Sequence, residues 1–211
     1  MSDQVGSDDP DAIGAAITHL RAGRAVVLPT DTVYGLAVLP SVAGATDRLF
    51  AAKGRPATVP ISVLVDSLDQ ALGLVEPPGP ALARVIERWW PGPLTIVFPR
   101  RRDVTVALGG DGTTIGVRCP DHDLVCSLAR ELGPLAVTSA NRHGEPTPTA
   151  AAGAAAALGD AVALVIDGGP CPIVPSTVID GTTPDLPVLR PGPISAEQIA
   201  RAAQGKPPPN R

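Results

Sequence analysis

The apolar positions of the chain follow two alternating patterns, short uninterrupted runs and longer stretches with a helical period. Runs such as AVVLP, ISVLV and LTIVF are short and rich in β-branched residues, which predicts buried strands. Between them, apolar residues recur three and four positions apart, as at Ile13, Ala16, Ile17 and Leu20, which predicts helices with one buried face. The predicted strands are 25–29, 61–65, 94–98, 114–118, 135–139, 163–167, 176–180 and 187–190. The predicted helices are 11–22, 41–53, 67–74, 79–90, 122–132, 149–158 and a last one that begins with a capping box from Ser195 to Gln198.

Strands and helices alternate for most of the length, which predicts an α/β fold built as a single-domain twisted sheet with helices on its faces. Strands that follow each other closely, at 94–118 and 176–190, favour hairpins, so the sheet is expected to be mixed. The domain is expected to span 11–203. An acidic tail over 1–10 is expected to be disordered, and the segment 204–211, which ends in KPPPNR, is expected to fray.

The composition fits an enzyme-sized globular domain with an aliphatic core. Of the 211 residues, 44% are hydrophobic and only 2% are aromatic. The 22 glycines and 25 prolines punctuate the periodic segments instead of clustering in one tract, which argues against disorder. The net charge of −4 argues against a protein that coats nucleic acid, because such a protein needs an excess of Lys and Arg. Any anion must therefore be bound by a few cations placed locally.

Cysteine and histidine usage indicates a reducing compartment and no structural metal. The three cysteines form no CxxC pair, so free thiols are expected. The three histidines have no ligand partner at a useful spacing, so no zinc site is expected. The N-terminus lacks the basic and apolar regions of a signal peptide, and no apolar run approaches the roughly 18 residues of a membrane span. The sequence predicts a cytoplasmic protein without a membrane segment.

Polar residues lie next to the predicted strands at four places, and strand ends are where open α/β sheets bind ligands. The four segments are LPTDTVYGL (28–36), AKGRP (52–56), TSANRHGEPTPT (138–149) and STVIDGTTPDLPVLRPG (176–192). Each alone has an ordinary explanation as a turn, a solvated cation at a helix C-terminus, or a loop. Four of them in one domain favour a ligand site but name no reaction.

Seven segments, taken in order, resemble the YrdC-like threonylcarbamoyl-AMP synthase family. They are PTDTVYGL, KGRP, WPGPLT, TIGVRCPDH, TSANRHGEPTPT, STVID and LRPG, and the resemblance covers roughly residues 13–200. The resemblance implies a YrdC-like fold and an enzyme of the nucleotidyltransferase class. Such an enzyme makes L-threonylcarbamoyladenylate and pyrophosphate from ATP, L-threonine and bicarbonate, and Mg²⁺ is its expected cofactor.

The resemblance also implies the partners of the protein. The product is expected to pass to a separate tRNA threonylcarbamoyl-transferase complex, which modifies adenosine 37 of tRNAs that read ANN codons. Contact with tRNA itself is expected to be indirect or weak, in keeping with the acidic net charge.

Individual positions also take roles from the resemblance. Lys53 and Arg55 of the KxR motif are expected to be catalytic and to face the triphosphate, where an ammonium and a planar guanidinium can stabilise charge on the leaving oxygens. As loop cations, both are expected to affect turnover more than stability. Further ATP contacts are expected at Val59, Thr114, Ser139, Asn141, Thr147 and Arg190. Threonine contacts are expected at Thr32, Leu64, Arg118, Val137 and Ser176. No residue is expected to bind a metal.

Two positions depart from the family pattern. Leu64 stands where the family commonly has a histidine that contacts threonine, and Pro175 stands where it often has glutamate. Two other functions stay open: a same-fold enzyme that forms a carbamoyl- or acyl-adenylate for a small-molecule pathway, and a non-catalytic RNA-binding or ribosome-assembly module. The intact KxR and SxN motifs favour chemistry, and the acidic charge speaks against RNA binding. The amino acid on which ATP turnover depends would separate the two enzymes.

Overall fold

The computed structural model describes residues 3–207, which form one ten-stranded sheet covered by helices. The strands are β1 (Asp3–Gly6), β2 (Val26–Leu28), β3 (Gly35–Val38), β4 (Ser62–Leu64), β5 (Leu94–Pro99), β6 (Thr114–Arg118), β7 (Leu135–Ser139), β8 (Leu164–Asp167), β9 (Thr177–Asp180) and β10 (Val188–Arg190). The helices are α1 (Ala12–Arg21), α2 (Ala45–Lys53), α3 (Leu68–Leu72), α4 (Pro80–Trp89), α5 (Asp123–Leu132), α6 (Ala151–Leu158), α7 (Ala196–Ala203) and a short 3-10 helix (Gly159–Ala161). The predicted α/β class and single-domain sheet are confirmed.

The sheet is mixed, as predicted, and its strand order is β1-β8-β2-β3-β7-β4-β6-β5-β9-β10. Strands β1 and β2 both pair parallel to β8, β4 pairs parallel to β6, and β5 pairs parallel to β9. The other neighbours are antiparallel. The hairpins expected at 94–118 and 176–190 are formed by β5 with β6 and by β9 with β10.

Alternate residues of the strands supply two separate cores, one on each face of the sheet. In β2, Val27 belongs to one core, while Val26 and Leu28 belong to the other, as the pleat of a strand requires. Helices α2, α3, α4, α6 and α7 pack on the face of Val27, and α1 and α5 pack on the opposite face. The strand residues packed with α1 and α5 come from β2, β3, β4, β7 and β8. This face therefore stays open over β6, β5 and β9.

The sequence pattern misses two strands. Strand β3 reads GLAV, whose glycine and alanine have weak strand propensity, yet all four residues are buried between β2 and β7. Strand β1 lies in the segment 1–10, and the expectation of disorder is wrong for Asp3–Gly6, which pairs with Leu164–Asp167. Because Val5 is its one apolar residue, β1 is held mainly by main-chain hydrogen bonds that no hydrophobic pattern reports. Residues 1–2 lie outside the described part of the chain.

The predicted capping box at the start of α7 is formed. The N–H of Gln198 donates to Ser195 Oγ at 3.2 Å, and the N–H of Ser195 donates to Gln198 Oε1 at 2.8 Å. The segment 204–211, expected to fray, begins with an ordered turn, because the N–H of Lys206 bonds to the last turn of α7. The remainder of that prediction, 208–211, lies outside the described residues.

All three cysteines are free, as predicted. Cys119 and Cys171 are buried, and Cys126 is half-buried. None of the helices found within 3–207 combines the length and the apolar character that a membrane crossing needs.

Candidate active site

A cleft of about 370 Å³ lies on the sheet face that α1 and α5 leave open. Its floor is built from alternate residues of neighbouring strands, which point to the same side. Strand β6 forms the middle of the floor, where Thr114, Gly116 and Arg118 face the cleft while Ile115 and Val117 belong to the core. The flanking strands add Gly35, Ser62, Leu64, Thr95, Val97, Val137, Ser139 and Val178.

Most residues that the sequence analysis assigns to ATP and threonine meet in this cleft. The assigned residues that line it are Thr32, Arg55, Leu64, Thr114, Arg118, Val137, Ser139, Thr147, Ser176 and Arg190. Lys53, Val59 and Asn141 are not among its lining residues. These three instead bond to residues or loops that shape the cleft.

Arg118, the last residue of β6, is held from three directions. Its Nε donates to the carbonyl of Gly92 at 3.0 Å, its Nη1 to Thr32 Oγ1 at 2.7 Å and its Nη2 to Asp31 Oδ1 at 2.5 Å. Burial lowers the pKa of Arg118, and the charge of Asp31 opposes that shift. A guanidinium stays protonated in proteins, so Arg118 is an oriented cation at the edge of the cleft. Its free donors suit the carboxylate of a small substrate.

Two residues that bond to assigned site residues, Asp31 and Thr95, have no role assigned to them by the sequence analysis. Asp31 lies inside the motif PTDTVYGL, but its partner Arg118 is 87 positions away, and no local pattern connects them. Thr95 Oγ1 lies 2.7 Å from Ser176 Oγ, although 81 positions separate the two residues. Only the parallel pairing of β5 with β9 brings them together. Strand order, which the sequence did not supply, was the missing signal.

Ser176 and Arg190 form another wall of the cleft. The hairpin of β9 and β10 brings them together, and Arg190 Nη2 donates to the carbonyl of Ser176 at 2.9 Å and to its Oγ at 3.1 Å. Partial burial lowers the pKa of Arg190, and the positive charges of Arg118 and Arg55 lower it further. Three guanidinium groups therefore share one cleft, and Asp31 is ion-paired with one of them. This local excess of positive charge is what an anion site needs on an acidic protein.

Arg55 is placed by the end of α2. Gly54 adopts a left-handed φ of 61°, and the N–H groups of Gly54 and Arg55 donate back to carbonyls in the last turns of α2, as in a Schellman motif. The guanidinium then donates to the carbonyls of Val59 at 3.0 Å and Pro60 at 2.8 Å, and the side chain lines the cleft. Val59 also uses its N–H for Pro56. Both main-chain groups of Val59 therefore have a partner within the protein, and the ATP contact expected at Val59 stays a prediction.

Lys53 lies under the loop that follows β7 and does not line the cleft. It is the last residue of α2 and only 2% exposed, so the description as a loop cation is wrong. Its ammonium donates to the carbonyls of Ser139 and Asn141, and its own carbonyl accepts from the N–H of His143 at 2.9 Å. Burial, and next the charge of Arg55, lowers the pKa of Lys53 to about 8. Lys53 thus fastens the SxN segment to α2.

Asn141 organises the same loop from within. Its side chain is buried, and its Nδ2 donates to the carbonyls of Arg142 and Glu145, each at 2.7 Å. Thr147 Oγ1 lies 3.5 Å from Asn141 Oδ1. Ser139 and Thr147, which belong to the same segment, line the cleft. The KxR and SxN motifs are therefore joined into one structural unit by Lys53.

The described residues that line the cleft include hydroxyls and guanidinium groups but no carboxylate. Within residues 3–207, no three His, Cys, Asp or Glu side chains come together as a metal site. A divalent cation would have to bring anionic oxygens with it, as Mg²⁺ does when it enters a site on nucleotide phosphates.

Known proteins resemble this chain in both sequence and structure. The family model for Sua5, YciO and YrdC, described as "Telomere recombination", matches residues 18–192. A Mycobacterium tuberculosis protein provisionally named threonylcarbamoyl-AMP synthase is 38% identical over 205 residues, which cover 95% of this chain and 94% of that protein. The Bacillus subtilis threonylcarbamoyl-AMP synthase is 37% identical over 94% of this chain and 58% of its own length.

Among solved structures, Pyrococcus abyssi Sua5 in complex with L-threonine superposes with a TM-score of 0.87 at 36% identity. The match covers 96% of this chain and 60% of that chain. The chain thus spans nearly all of the M. tuberculosis relative and less than two thirds of the B. subtilis and P. abyssi proteins.

Proposed function

The chain belongs to the Sua5/YciO/YrdC family, whose model matches residues 18–192, and from this premise we propose that it is an L-threonylcarbamoyladenylate synthase. The reaction joins ATP, L-threonine and bicarbonate into threonylcarbamoyl-AMP and pyrophosphate, so the enzyme is a nucleotidyltransferase. The observation that carries the proposal is the cleft, in which three guanidinium groups and several hydroxyls converge on one open sheet face. Similarity to named synthases over most of the chain supports the same reaction.

The two ends of the cleft suit the two larger substrates. Strand β6 runs along the floor from Thr114 to Arg118, a span of roughly 13 Å for four steps of an extended strand. Threonine is assigned to the Arg118 end, where Thr32, Leu64 and Ser176 also line the cleft. ATP is assigned toward the Thr114 end, where Arg55, Ser139 and Thr147 also line the cleft. Arg190, a further ATP contact, is bonded to Ser176 and would reach the nucleotide from the threonine side.

The reaction at the α-phosphorus explains why cations are needed in the cleft. A carboxylate oxygen of N-carboxythreonine, formed from threonine and bicarbonate, attacks the α-phosphorus, and the bond to the bridging oxygen breaks. Pyrophosphate leaves with the electron pair, so negative charge grows on the bridging and leaving oxygens. Arg55 is the residue we assign to that charge, because two carbonyls hold its guanidinium in place beside the cleft.

Lys53 contributes to the attack on the α-phosphorus indirectly, because it holds the loop that follows β7. Its ammonium fixes the carbonyls of Ser139 and Asn141, so the Ser139 hydroxyl is positioned before the nucleotide binds. Its positive charge also adds to the positive electrostatic potential of the proposed nucleotide site. Lys53 is therefore assigned as a positioning residue, with Arg55 in the direct role.

Mg²⁺ fits this cleft as a companion of the nucleotide. The hydroxyls of Thr114, Ser139 and Thr147 are hard oxygen donors, and the phosphates supply the anionic oxygens that the described lining residues lack. When bound, the ion neutralises part of the triphosphate charge and stabilises the departing pyrophosphate.

The product is a mixed anhydride, which a further enzyme must consume. We assign that role to a tRNA threonylcarbamoyl-transferase complex that modifies adenosine 37 of ANN-decoding tRNAs in the cytoplasm. The net charge of −4 fits a protein whose own contact with tRNA is weak or indirect.

Pyrophosphate release tests the proposal. Purified protein is incubated with ATP, Mg²⁺ and bicarbonate, with and without L-threonine, and with L-serine as a matched amino acid that lacks one methyl group. Release should require threonine and bicarbonate and should be faster with threonine than with serine. Arg55→Ala, prepared in parallel, controls for contaminating phosphatases. Release that is equal with and without threonine contradicts the assignment.

A further inference from the structure

A second cavity, of about 460 Å³, lies beyond the end of β6, and two thiols line it. Cys119 directly follows Arg118, and Cys126 lies in the first turn of α5. Trp90, His122 and Arg130 line the same cavity. Neither thiol has a part in the proposed reaction, and neither lines the substrate cleft.

The two thiols are linked to each other. Cys126 Sγ donates to the carbonyl of Pro120 at 3.2 Å, which places this sulfur against the residue next to Cys119. Cys119 itself borders the same cavity as Cys126, so the two thiols are neighbours. Their interaction lowers the pKa of Cys126 and raises the pKa of Cys119. Arg130, one turn further along α5, also lowers the pKa of Cys126, whereas the nearby carboxylate of Asp66 opposes it.

The pair differs in access as well as in acidity. Cys119 is 4% exposed, whereas Cys126 is half-buried and borders the cavity. A thiolate near a helix N-terminus and an arginine is the usual setting of a reactive cysteine. A buried thiol with a raised pKa cannot attack an outside reagent but can attack a neighbouring sulfur. Cys126 has the features of an attacking thiol, and Cys119 those of a resolving thiol.

We propose that Cys119 and Cys126 form a dithiol modification site, which a low-molecular-weight disulfide such as oxidised glutathione converts into an intramolecular disulfide. The Cys126 thiolate attacks one sulfur of the reagent, forms a mixed disulfide and expels one thiolate. Once Cys126 is part of the mixed disulfide, its interaction with Cys119, the largest cause of the raised pKa of that thiol, is lost. Cys119 then gives its proton to solvent, its thiolate attacks Cys126 Sγ, and the second reagent thiolate leaves and takes up a proton. Two protein thiols are oxidised while one reagent disulfide is reduced to two thiols.

The new bond would reach the substrate cleft through Gly92. The N–H of Gly92 donates to the carbonyl of Cys119 at 2.9 Å, and the carbonyl of Gly92 accepts from Arg118 Nε at 3.0 Å. Drawing Cys119 toward Cys126 therefore strains the anchor of the Arg118 guanidinium. We expect the oxidised protein to need a severalfold higher threonine concentration, with less change for ATP. This consequence rests on the proposed function, whereas the thiol chemistry does not.

The positions of the arginines allow the disulfide to be detected by tryptic digestion and mass spectrometry. Trypsin cleaves after Arg118 and Arg130, so both thiols fall in the single peptide 119–130, and Cys171 falls in another peptide. The full-length protein is equilibrated with mixtures of oxidised and reduced glutathione, alkylated, digested and analysed by mass spectrometry. The expected peptide 119–130 is two hydrogens lighter and carries no alkyl group, while Cys171, the internal control, is alkylated. Three alkylated cysteines, or glutathione that stays on Cys126, overturn the proposal.

Single variants separate the two roles. Cys119→Ser should trap glutathione on Cys126, and Cys126→Ser should leave Cys119 unmodified because it is buried. The reverse pattern overturns the assignment of the attacking thiol. Oxidation of peptide 119–130 without a change in the threonine requirement overturns the coupling through Gly92. If the reduced protein shows no threonine dependence at all, the proposed function fails while the mass of peptide 119–130 still decides the thiol proposal.

Discussion

The guanidinium of Arg118 and the carboxylate of Asp31 form a nearly buried ion pair, with Nη2 2.5 Å from Oδ1 and side chains that are 7% and 15% exposed. Both charges are largely removed from water, so either charge left alone would destabilise the fold by several kcal/mol, about 3–5 for a fully buried pair. Thr32 and Gly92 hold the other sides of the guanidinium. The ion pair therefore keeps Arg118 charged and oriented before a substrate carboxylate arrives.

Arg118→Ala should raise the threonine concentration needed for pyrophosphate release far more than the ATP concentration needed. One lost charge-assisted contact is worth roughly 1.5–3 kcal/mol, which corresponds to about one to two decades in the threonine concentration needed. The threonine and ATP dependence of pyrophosphate release measures both effects. A variant in which ATP dependence is damaged and threonine dependence is intact would show that Arg118 belongs to the nucleotide.

A double variant separates binding from folding at this site. Arg118→Ala leaves the carboxylate of Asp31 without its cation, so the melting temperature should fall. Adding Asp31→Ala should recover part of the lost melting temperature. It should leave the threonine concentration needed for pyrophosphate release as high as in the single variant. If the double variant recovered the normal threonine dependence of pyrophosphate release, Arg118 would act only through the stability of the fold.

The buried ammonium of Lys53 makes stability depend on pH in the alkaline range. Its pKa in the folded protein is about 8, below the ordinary 10.5, because burial and then Arg55 disfavour the charged form. Between these two values the unfolded chain binds more protons than the folded one, so stability should rise with pH. Below about 8 both states are protonated, and the destabilising effect of burying the charge is fully present.

Lys53→Met is the matched variant for this effect, since it keeps an unbranched chain and removes the titrating group. The melting temperature of the unmodified protein, measured relative to Lys53→Met, should increase from about pH 8 to about pH 10.5. Taking the difference cancels the other groups that titrate in this range. A difference that is constant with pH, or that falls, contradicts a depressed pKa at Lys53.

The fold was largely predictable because a strand that is buried on both faces appears in the sequence as a short uninterrupted apolar run. Residues 25–29 show this, since Val27 is buried in one core and its neighbours Val26 and Leu28 are buried in the other. Strand β3 is buried, but its glycine and alanine are hardly more apolar than the adjoining loop, so the hydrophobic pattern does not reveal it. Strand β1 has main-chain pairing and almost no apolar signal.

For the site, the sequence could name residue types but not partners. The motifs singled out Lys53 and Arg55 as a pair of cations, and one of them lines the cleft while the other is buried under a loop. The turn at Gly54 decides which is which, because its left-handed backbone ends α2 between the two side chains. Contacts such as Arg118 with Asp31 depend on strand order, which periodicity does not encode.

Gly116 lies on the floor of the cleft between the proposed ATP and threonine sites, and its lack of a side chain leaves room there for substrate. A Cβ built there would lie 3.1 Å from Ser62 Oγ, and the rest of a side chain would rise into the cleft. Gly116→Val suits a strand, so the fold should persist, but pyrophosphate release should fall by about a hundredfold, the scale of ångström-sized misplacement. Gly14→Ala, on an open helix surface, is the control. Normal turnover by Gly116→Val at a normal melting temperature would place the reaction elsewhere.

Arg55 is the residue for which turnover and stability should separate most clearly. Its side chain is half-buried, and its guanidinium donates to the carbonyls of Val59 and Pro60, which are close to solvent. Arg55→Ala removes these bonds without leaving a buried charge, so the melting temperature should change little. Turnover should fall by about two decades or more, because a fixed cation stabilises the leaving oxygens most in the transition state.

Arg55→Lys tests whether the shape of the guanidinium matters in addition to its charge. A planar fork can bond to the two carbonyls and still present donors to a phosphate, whereas a single ammonium on a flexible stem cannot do both. We therefore expect Arg55→Lys to recover only part of the rate lost in Arg55→Ala. Full recovery would show that a nearby point charge is enough. If both variants turn over and melt like the unmodified protein, Arg55 is a solvated cation and the charge on the leaving oxygens is stabilised by other groups.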